Sequence, residues 1–209
     1  MGKAGPKVVI IGAGASGRGH VGQLAFESGY DLVFLDKDLR LTNVLRTAEV
    51  YTVRLIGEQT RDVTIDRFTV YHLDETEAFY REFCDASLVL TTVCPPNLSD
   101  VADYLRPLVL RWLSGAGAED YKNILCCENM NNGSTAFKGL LSAGLSALLR
   151  DRLEAKIGFP DAMIARVVTA HEDPLLLLAE DYSEWTAARA AFRGPELPVI
   201  GTLRIVGNQ

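Results

Sequence analysis

The feature that most constrains this chain is Gly12-Ala13-Gly14-Ala15-Ser16-Gly17, which follows the short apolar run from Lys7 to Ile11. Behind it, Val21, Leu24, Ala25 and Phe26 recur at helical spacing as far as Gly29. A G-x-G-x-x-G sequence between a buried strand and a helix has a physical reason for each glycine. Gly12 permits a tight turn, Gly14 lets a pyrophosphate approach the backbone, and Gly17 lets helix and strand pack closely. The first turn of the helix adds unpaired N–H groups and partial positive charge, both favourable to phosphate. A purely structural turn is the competing reading.

Asp31 to Asp36 reads as a second buried strand, completing a βαβ opening. It ends in Asp36, about 20 residues beyond the glycines, where an acid accepts the ribose hydroxyls of a dinucleotide. A carboxylate there would repel a 2′-phosphate, so the expected cofactor is NAD rather than NADP. Asp36 can equally cap the helix that follows, and the two roles are compatible.

Farther on, Asp38 to Glu49 reads as a helix, and Tyr51 to Ile56 with Asp62 to Val70 as an inserted hairpin. Glu75 to Phe83 is a helix, Ala86 to Val93 a third buried strand, and Leu98 to Leu113 a helix with a kink expected at Pro107. Asn123 to Cys127 is a fourth buried strand, followed by one long helix from about Ser134 to Lys156. This alternation predicts an α/β fold, a Rossmann-type doubly wound parallel sheet with a β-hairpin insertion and extra C-terminal strands. Met163 to Thr169 and Leu175 to Glu180 supply those strands, and the tail from Arg193 reads as mostly irregular. The whole of 1–209 is one domain, its core about 7–157 and its additional strands about 160–209.

At 209 residues, with 48% hydrophobic and 23% charged residues, the chain can build one well-buried core. A net charge of −6, with no long Lys/Arg run, argues against nucleic acid as a partner. No apolar run reaches the roughly 18 residues needed to cross a bilayer, so no membrane association is expected. Residues 1–15 lack the form of a signal peptide, so the expected location is cytoplasmic. Cys84, Cys94, Cys126 and Cys127 form no CxxC pair and read as buried free thiols, and no metal site is expected.

Two further segments lie at the carboxyl edge of the expected sheet. Thr91-Thr92-Val93-Cys94-Pro95-Pro96 ends the third buried strand, and the backbone of Val93 and Cys94 can face the nicotinamide ribose, a plain strand-to-helix turn being an equal reading. Cys127-Glu128-Asn129-Met130 ends the fourth, and the Asn129 amide can hold a substrate hydroxyl or a developing alkoxide. From the residues alone, Asn129 reads rather as a helix N-cap.

Taken together, GAGASGRGH at 12–20, ILCCENM at 124–130 with NGSTAFKG at 132–139, IGFPDAMIARVV at 157–168 and DPLLLLAEDYSEW at 173–185 resemble the mannitol-1-phosphate 5-dehydrogenase and mannitol 2-dehydrogenase family. The likeness is ordered and spans almost the whole chain, and the segments ending in Trp185 and around Asn129 are more specific than the glycine loop. It implies a metal-independent, NAD(P)-dependent polyol dehydrogenase of two domains. The cofactor loop would take in Gly12, Ala13, Gly14, Ser16, Gly17, Arg18 and Gly19, and Asn129 would assist at the substrate oxygen. The family's catalytic Lys lies in a helical domain, in a motif with Asn five and His eight positions later, and no Lys of these 209 residues has that pattern. The helical catalytic domain is thus expected to lie outside these 209 residues, either as a continuation of the same polypeptide or as a separate partner. Ala165 stands where the family commonly has Asp. His20, His72 and His171 are isolated in sequence, and none is expected to replace the base.

The expected function is therefore the NAD-binding domain of an oxidoreductase acting on a polyol or polyol phosphate. The runner-up is a stand-alone NAD-binding sensor or partner subunit without catalytic activity. Neither a methyltransferase nor a flavin enzyme fits as well, since the glycine spacing points away from the first and no second flavin motif is present.

Overall fold

The computed structural model describes residues 5–207. Residues 1–4, on which part of the reading against a signal peptide falls, lie outside the described residues, as do 208 and 209. β1 (Lys7–Ile11) runs into the glycine loop, after which π-type turns over Gly17–Gly22 continue as α1 (Gln23–Glu27). Then come β2 (Asp31–Asp36), α2 (Leu39–Ala48), β3 (Tyr51–Ile56), β4 (Arg61–Ile65), β5 (Phe68–His72) and α3 (Thr76–Asp85). β6 (Leu88–Thr91), α4 (Leu98–Gly115), β7 (Lys122–Cys126), α5 (Gly133–Ser142), α6 (Ala147–Lys156) and β8 (Ile157–Gly158) complete the α/β part. The last strands are β9 (Ala162–Ala165), β10 (Val168–Ala170), β11 (Leu176–Glu180), β12 (Glu184–Ala188) and β13 (Leu203–Val206).

The main sheet has the order β5-β2-β1-β6-β7-β8, and every neighbouring pair in it is parallel. Taken in chain order, its strands stand 3-2-1-4-5-6, the doubly wound Rossmann arrangement, with the reversal of direction between β1 and β6. Alternation along the strands explains why both faces are covered. Val8 and Ile10 of β1 and Leu32 and Phe34 of β2 enter one core with α1, while Val9, Ile11, Val33 and Leu35 enter another with α3 and α4.

Two small sheets cover the α1 side. One has the order β10-β11-β3-β4 and the other β13-β12-β9. The inserted hairpin is β3 with β4, antiparallel from Tyr51 opposite Ile65 to Leu55 opposite Arg61. It is shorter than the sequence suggests, because Phe68–His72 leaves it to pair in parallel with β2 at the edge of the main sheet. An edge strand is only half covered, so β5 carries the same alternating pattern as a hairpin arm.

Three other elements differ from the sequence reading. The long helix expected over 134–156 is broken between Ser142 and Ala147, where Gly144 has φ +76° and the Ser146 hydroxyl accepts from Leu149 N at 3.4 Å to start α6. The strand expected over 163–169 divides at Arg166, because β9 pairs with β12 whereas β10 pairs with β11. The tail read as irregular holds β13, parallel to β12. α4 continues through Pro107 as one helix.

β12 places Trp185 at 0% exposure in the core between the main sheet and the small sheets. Trp185→Ala should lower the free energy of unfolding by about 3–5 kcal/mol, the usual cost of emptying an aromatic site. Urea denaturation followed by circular dichroism checks this, and a loss below 1 kcal/mol would show that the small sheets are not packed as one body with the main sheet.

Candidate functional site

The site lies at the carboxyl ends of β1, β2, β6 and β7. At Gly12 the chain takes φ +101°, and an added Cβ would stand 2.5 Å from the carbonyl oxygen of Thr92. A Cβ on Gly17 would stand 1.9 Å from the carbonyl oxygen of Gly12. Helix, β1 and the end of β6 therefore meet backbone to backbone. A Cβ at Gly14 would meet nothing within 4 Å, and this glycine faces a cleft of about 250 Å³. Gly19 faces the other way, its α-carbon against Val168 and Leu177 of the small sheet.

Asp36 stands at the tip of β2 on the rim of the same cleft. Its Oδ2 accepts from Ala13 N at 2.6 Å and its Oδ1 from Asp38 N at 2.8 Å. The cap of α2 is Asp38, whose Oδ1 accepts from Arg40 N and Leu41 N. Asp36 thus pins the glycine loop, with each carboxylate oxygen retaining a lone pair beyond the one used. Lys37, which also lines the cleft, reaches Asn97 Oδ1 at 3.3 Å.

Arg18 is turned away from the cleft at 4% exposure. Its Nε donates to Ala13 O at 2.6 Å, an NH1 donates to Pro174 O at 2.6 Å, and its guanidinium lies 5.5 Å from the Tyr51 ring centre. It holds the glycine loop against the segment that leads into β11. Ser16 is exposed at the start of the helix.

Val93 and Cys94 line the cleft, and their N–H groups are both taken by one side chain, Glu128. Oε1 accepts from Val93 N at 2.5 Å and Oε2 from Cys94 N at 3.1 Å. Sequence reasoning passed over Glu128 in favour of its neighbour, although a carboxylate directly after a fully buried strand was a signal. Burial raises its pKa above the ordinary carboxylate value, opposed by the two N–H bonds. Cys94 itself is exposed and has φ +66°, correcting the expectation that all four thiols are buried. Cys126 and Cys127 are buried, and burial pushes the Cys126 thiol up to about 12, leaving it protonated and inert.

Asn129 follows Glu128, exposed on a second cleft of about 410 Å³ that it shares with Asp161, Met163 and Thr186. The helix-cap reading fails for it, since the cap of α5 is Asn132 at φ +53°. Asp161 accepts from Thr135 N at 2.9 Å and Thr135 Oγ1 at 2.6 Å, fixing the start of α5. Ala165 lies on β9 beside Glu184, and Arg166 points back to Gln23 Oε1 at 2.6 Å. Glu128 and Asn129, just past β7, both line the second cleft, and Glu128 is tied to the first through its bonds to Val93 N and Cys94 N.

None of the three histidines enters the first cleft. His72 is held beside Lys37 O and Asp74, and the His171 ring accepts from Asp173 N at 3.1 Å. His20 is 1% exposed, edge-on to Trp185, with Nε2 lacking a hydrogen-bond partner among the described residues. Among the described residues, no three His, Cys, Asp or Glu side chains are grouped to hold a metal ion.

Comparison with known proteins places this geometry in a family context. Residues 6–201 match the family described as the mannitol dehydrogenase Rossmann domain. The mannitol-1-phosphate 5-dehydrogenase of Bacillus subtilis (strain 168) is 33% identical over 193 residues, covering 91% of this chain and 50% of that protein. That of Streptococcus mutans serotype c is 30% identical over 198 residues, with shares of 91% and 50%. The chain spans about half the length of the curated relatives it matches. A similar fold occurs in an octopine dehydrogenase solved with NADH and L-arginine, at TM-score 0.63, 14% identity, 96% of this chain and 48% of that one. A D-mandelate dehydrogenase solved with NADH and anilino(oxo)acetate gives TM-score 0.57 at 14% identity, with shares of 87% and 47%.

Burial, with a smaller contribution from the Arg166 charge, pushes the His20 pKa down to about 4 from 6.5. The unfolded chain binds a proton at His20 that the folded chain refuses between these values. The stability from neutral His20 is therefore complete above pH 6.5 and lost as pH falls through 4. Urea melts from pH 7 to 4 should show wild type losing up to about 3 kcal/mol more than His20→Leu. Parallel curves for the two proteins would show that His20 does not stay neutral in the fold.

Proposed function

The chain belongs to the mannitol dehydrogenase family, whose Rossmann domain it carries, and from that premise we propose that it binds NAD as half of an enzyme moving hydride between a polyol or polyol phosphate and that cofactor. The observation that carries the proposal is Asp36, bonded to Ala13 N on the rim of the cleft that Gly14 faces. An anion on this rim, with lone pairs still free, suits two ribose hydroxyls and opposes a 2′-phosphate. Gly14 leaves the backbone bare where a pyrophosphate would need to approach, and Gly12 and Gly17 hold that backbone in place.

When bound, NAD supplies the hydride acceptor, and the protein positions it. Asp36 would hold the adenosine ribose, and Gly12, Ala13, Gly14, Ser16 and Gly17 would form the pyrophosphate loop. Arg18 and Gly19 would act behind that loop, fixing it to the small sheet. Asn129, on the second cleft, would hold the substrate oxygen by its amide. An amide is no proton acceptor near neutral pH, so the base would come from a helical domain beyond these residues. A cytoplasmic location belongs to this reading, and among the described residues no helix is long and apolar enough to cross a membrane.

Calorimetric titration should show NAD binding in preference to NADP. Asp36→Ala should weaken NAD binding by about 1.5–3 kcal/mol, the range for hydrogen bonds to a charged group, and reduce the discrimination. An unchanged NAD/NADP ratio in the folded variant would leave Asp36 only its bonds to Ala13 and Asp38.

The 209-residue chain alone should give little or no turnover with mannitol, other alditols or their phosphates, followed as NADH absorbance. Loss of a general base removes on the order of 10² to 10⁴ in rate, and an incomplete pocket removes more. Robust turnover by homogeneous protein would place the base within these residues.

A further inference from the structure

Glu128 is 8% exposed, yet its carboxylate is spent on two consecutive backbone N–H groups of another loop, 34 and 35 residues away in the chain. The recipients, Val93 and Cys94, form the wall of the first cleft beyond β6. The other side of that wall is closed by Asn97, whose Nδ2 donates to Val93 O at 2.6 Å. Cys94 is held at φ +66° and ψ 143°, a conformation that a residue with a side chain rarely adopts and that persists only where its surroundings enforce it. Pro95 follows, keeping Cys94 extended in ψ and leaving the peptide before Cys94 to carry the adjustment. The carboxylate that enforces it is joined through one peptide bond to Asn129, which opens on the second cleft.

We infer that Glu128 is a positioning residue that locks the Val93–Cys94 backbone and the Asn129 loop into one unit, setting the distance between the cofactor cleft and the substrate-side cleft. This rests on reading the first cleft as the NAD site. Two N–H groups that face the carboxylate are unavailable to the cofactor, so the wall acts by shape. An ionised carboxylate can accept both bonds at once. A glutamine in its place offers one acceptor and turns an NH₂ donor toward the second N–H, so one of the two bonds is lost.

The test uses the 209-residue chain as wild type, Glu128→Gln and Glu128→Asp, with NADH titrated by calorimetry and amide hydrogen exchange of Val93 and Cys94 measured without cofactor. In Glu128→Gln the amide that loses its acceptor, Val93 or Cys94, should exchange at least 10-fold faster while those of β1 and β6 keep their protection, and the Kd for NADH should rise about 10-fold. Glu128→Asp keeps both carboxylate oxygens on a shorter arm and should fall between wild type and Glu128→Gln in both measurements. Should Glu128→Gln fail to fold, the aspartate variant decides by the same two measurements, and wild-type values in it would overturn the inference. Faster exchange at Val93 or Cys94 with an unchanged Kd would also overturn it, leaving the cofactor reading intact. Wild type that fails to bind NADH would instead remove the cofactor reading, while the exchange rates still report whether the lock exists.

Discussion

The structure depends on the absence of side-chain atoms at one crossing. Where β1 ends, the carbonyl of Gly12 comes so close to Gly17 that a Cβ there would sit 1.9 Å away, and the carbonyl of Thr92 is nearly as close to Gly12. Three backbone segments from separate parts of the chain are thereby brought into contact: strand, helix and the end of β6. The Thr92 hydroxyl adds a bond to Gly12 O at 2.8 Å. Because this crossing stands at the reversal of strand order, the space above it is open, and the carboxyl ends of four strands frame it.

Buried positive charge is answered by backbone oxygen both beside that crossing and at the opposite, amino edge of the sheet, where β7 begins. Arg18 is bonded to two carbonyls, and Lys122, 1% exposed, donates to the carbonyls of Phe83, Cys84 and Ala86 where α3 ends. Burial pushes Lys122 down to about 8, while a helix end with unpaired carbonyls favours the cation. Arg166 likewise donates to Gly19 O and Gln23. Each of these bonds offsets the cost of burying a charge and ties together segments distant in the chain.

The main sheet was legible in the sequence because its central strands are continuous apolar runs and its turns carry glycine. Phe68–His72 was not, since an edge strand alternates like a hairpin arm, and neither was β13, whose four residues sit among prolines and glycines. At the site, Asp36 could be located by its place after the second strand, whereas the bond to Ala13 N that gives it a structural duty depends on the folded loop. Glu128 was hidden by its neighbour: a sequence shows an acid beside Asn129 but not that two amides from residues 93 and 94 converge on it. Arg18 was legible as part of the loop but not in its direction, which is set by Pro174 far along the chain.

That last contact bears on how modular the domain is. The βα units through β8 contain every glycine of the loop and the acid at the end of β2, and they resemble a complete nucleotide-binding cassette. Yet the guanidinium behind the loop closes on a carbonyl from the segment before β11, and Gly19 packs on Val168. A graft that moved only the first 158 residues into another protein would carry the recognition sequence without its backing. Transplantation, chimera design and comparison between relatives should therefore treat β9 to β13 as part of the cassette, and drift in those strands can reach the glycine loop without altering a residue in it.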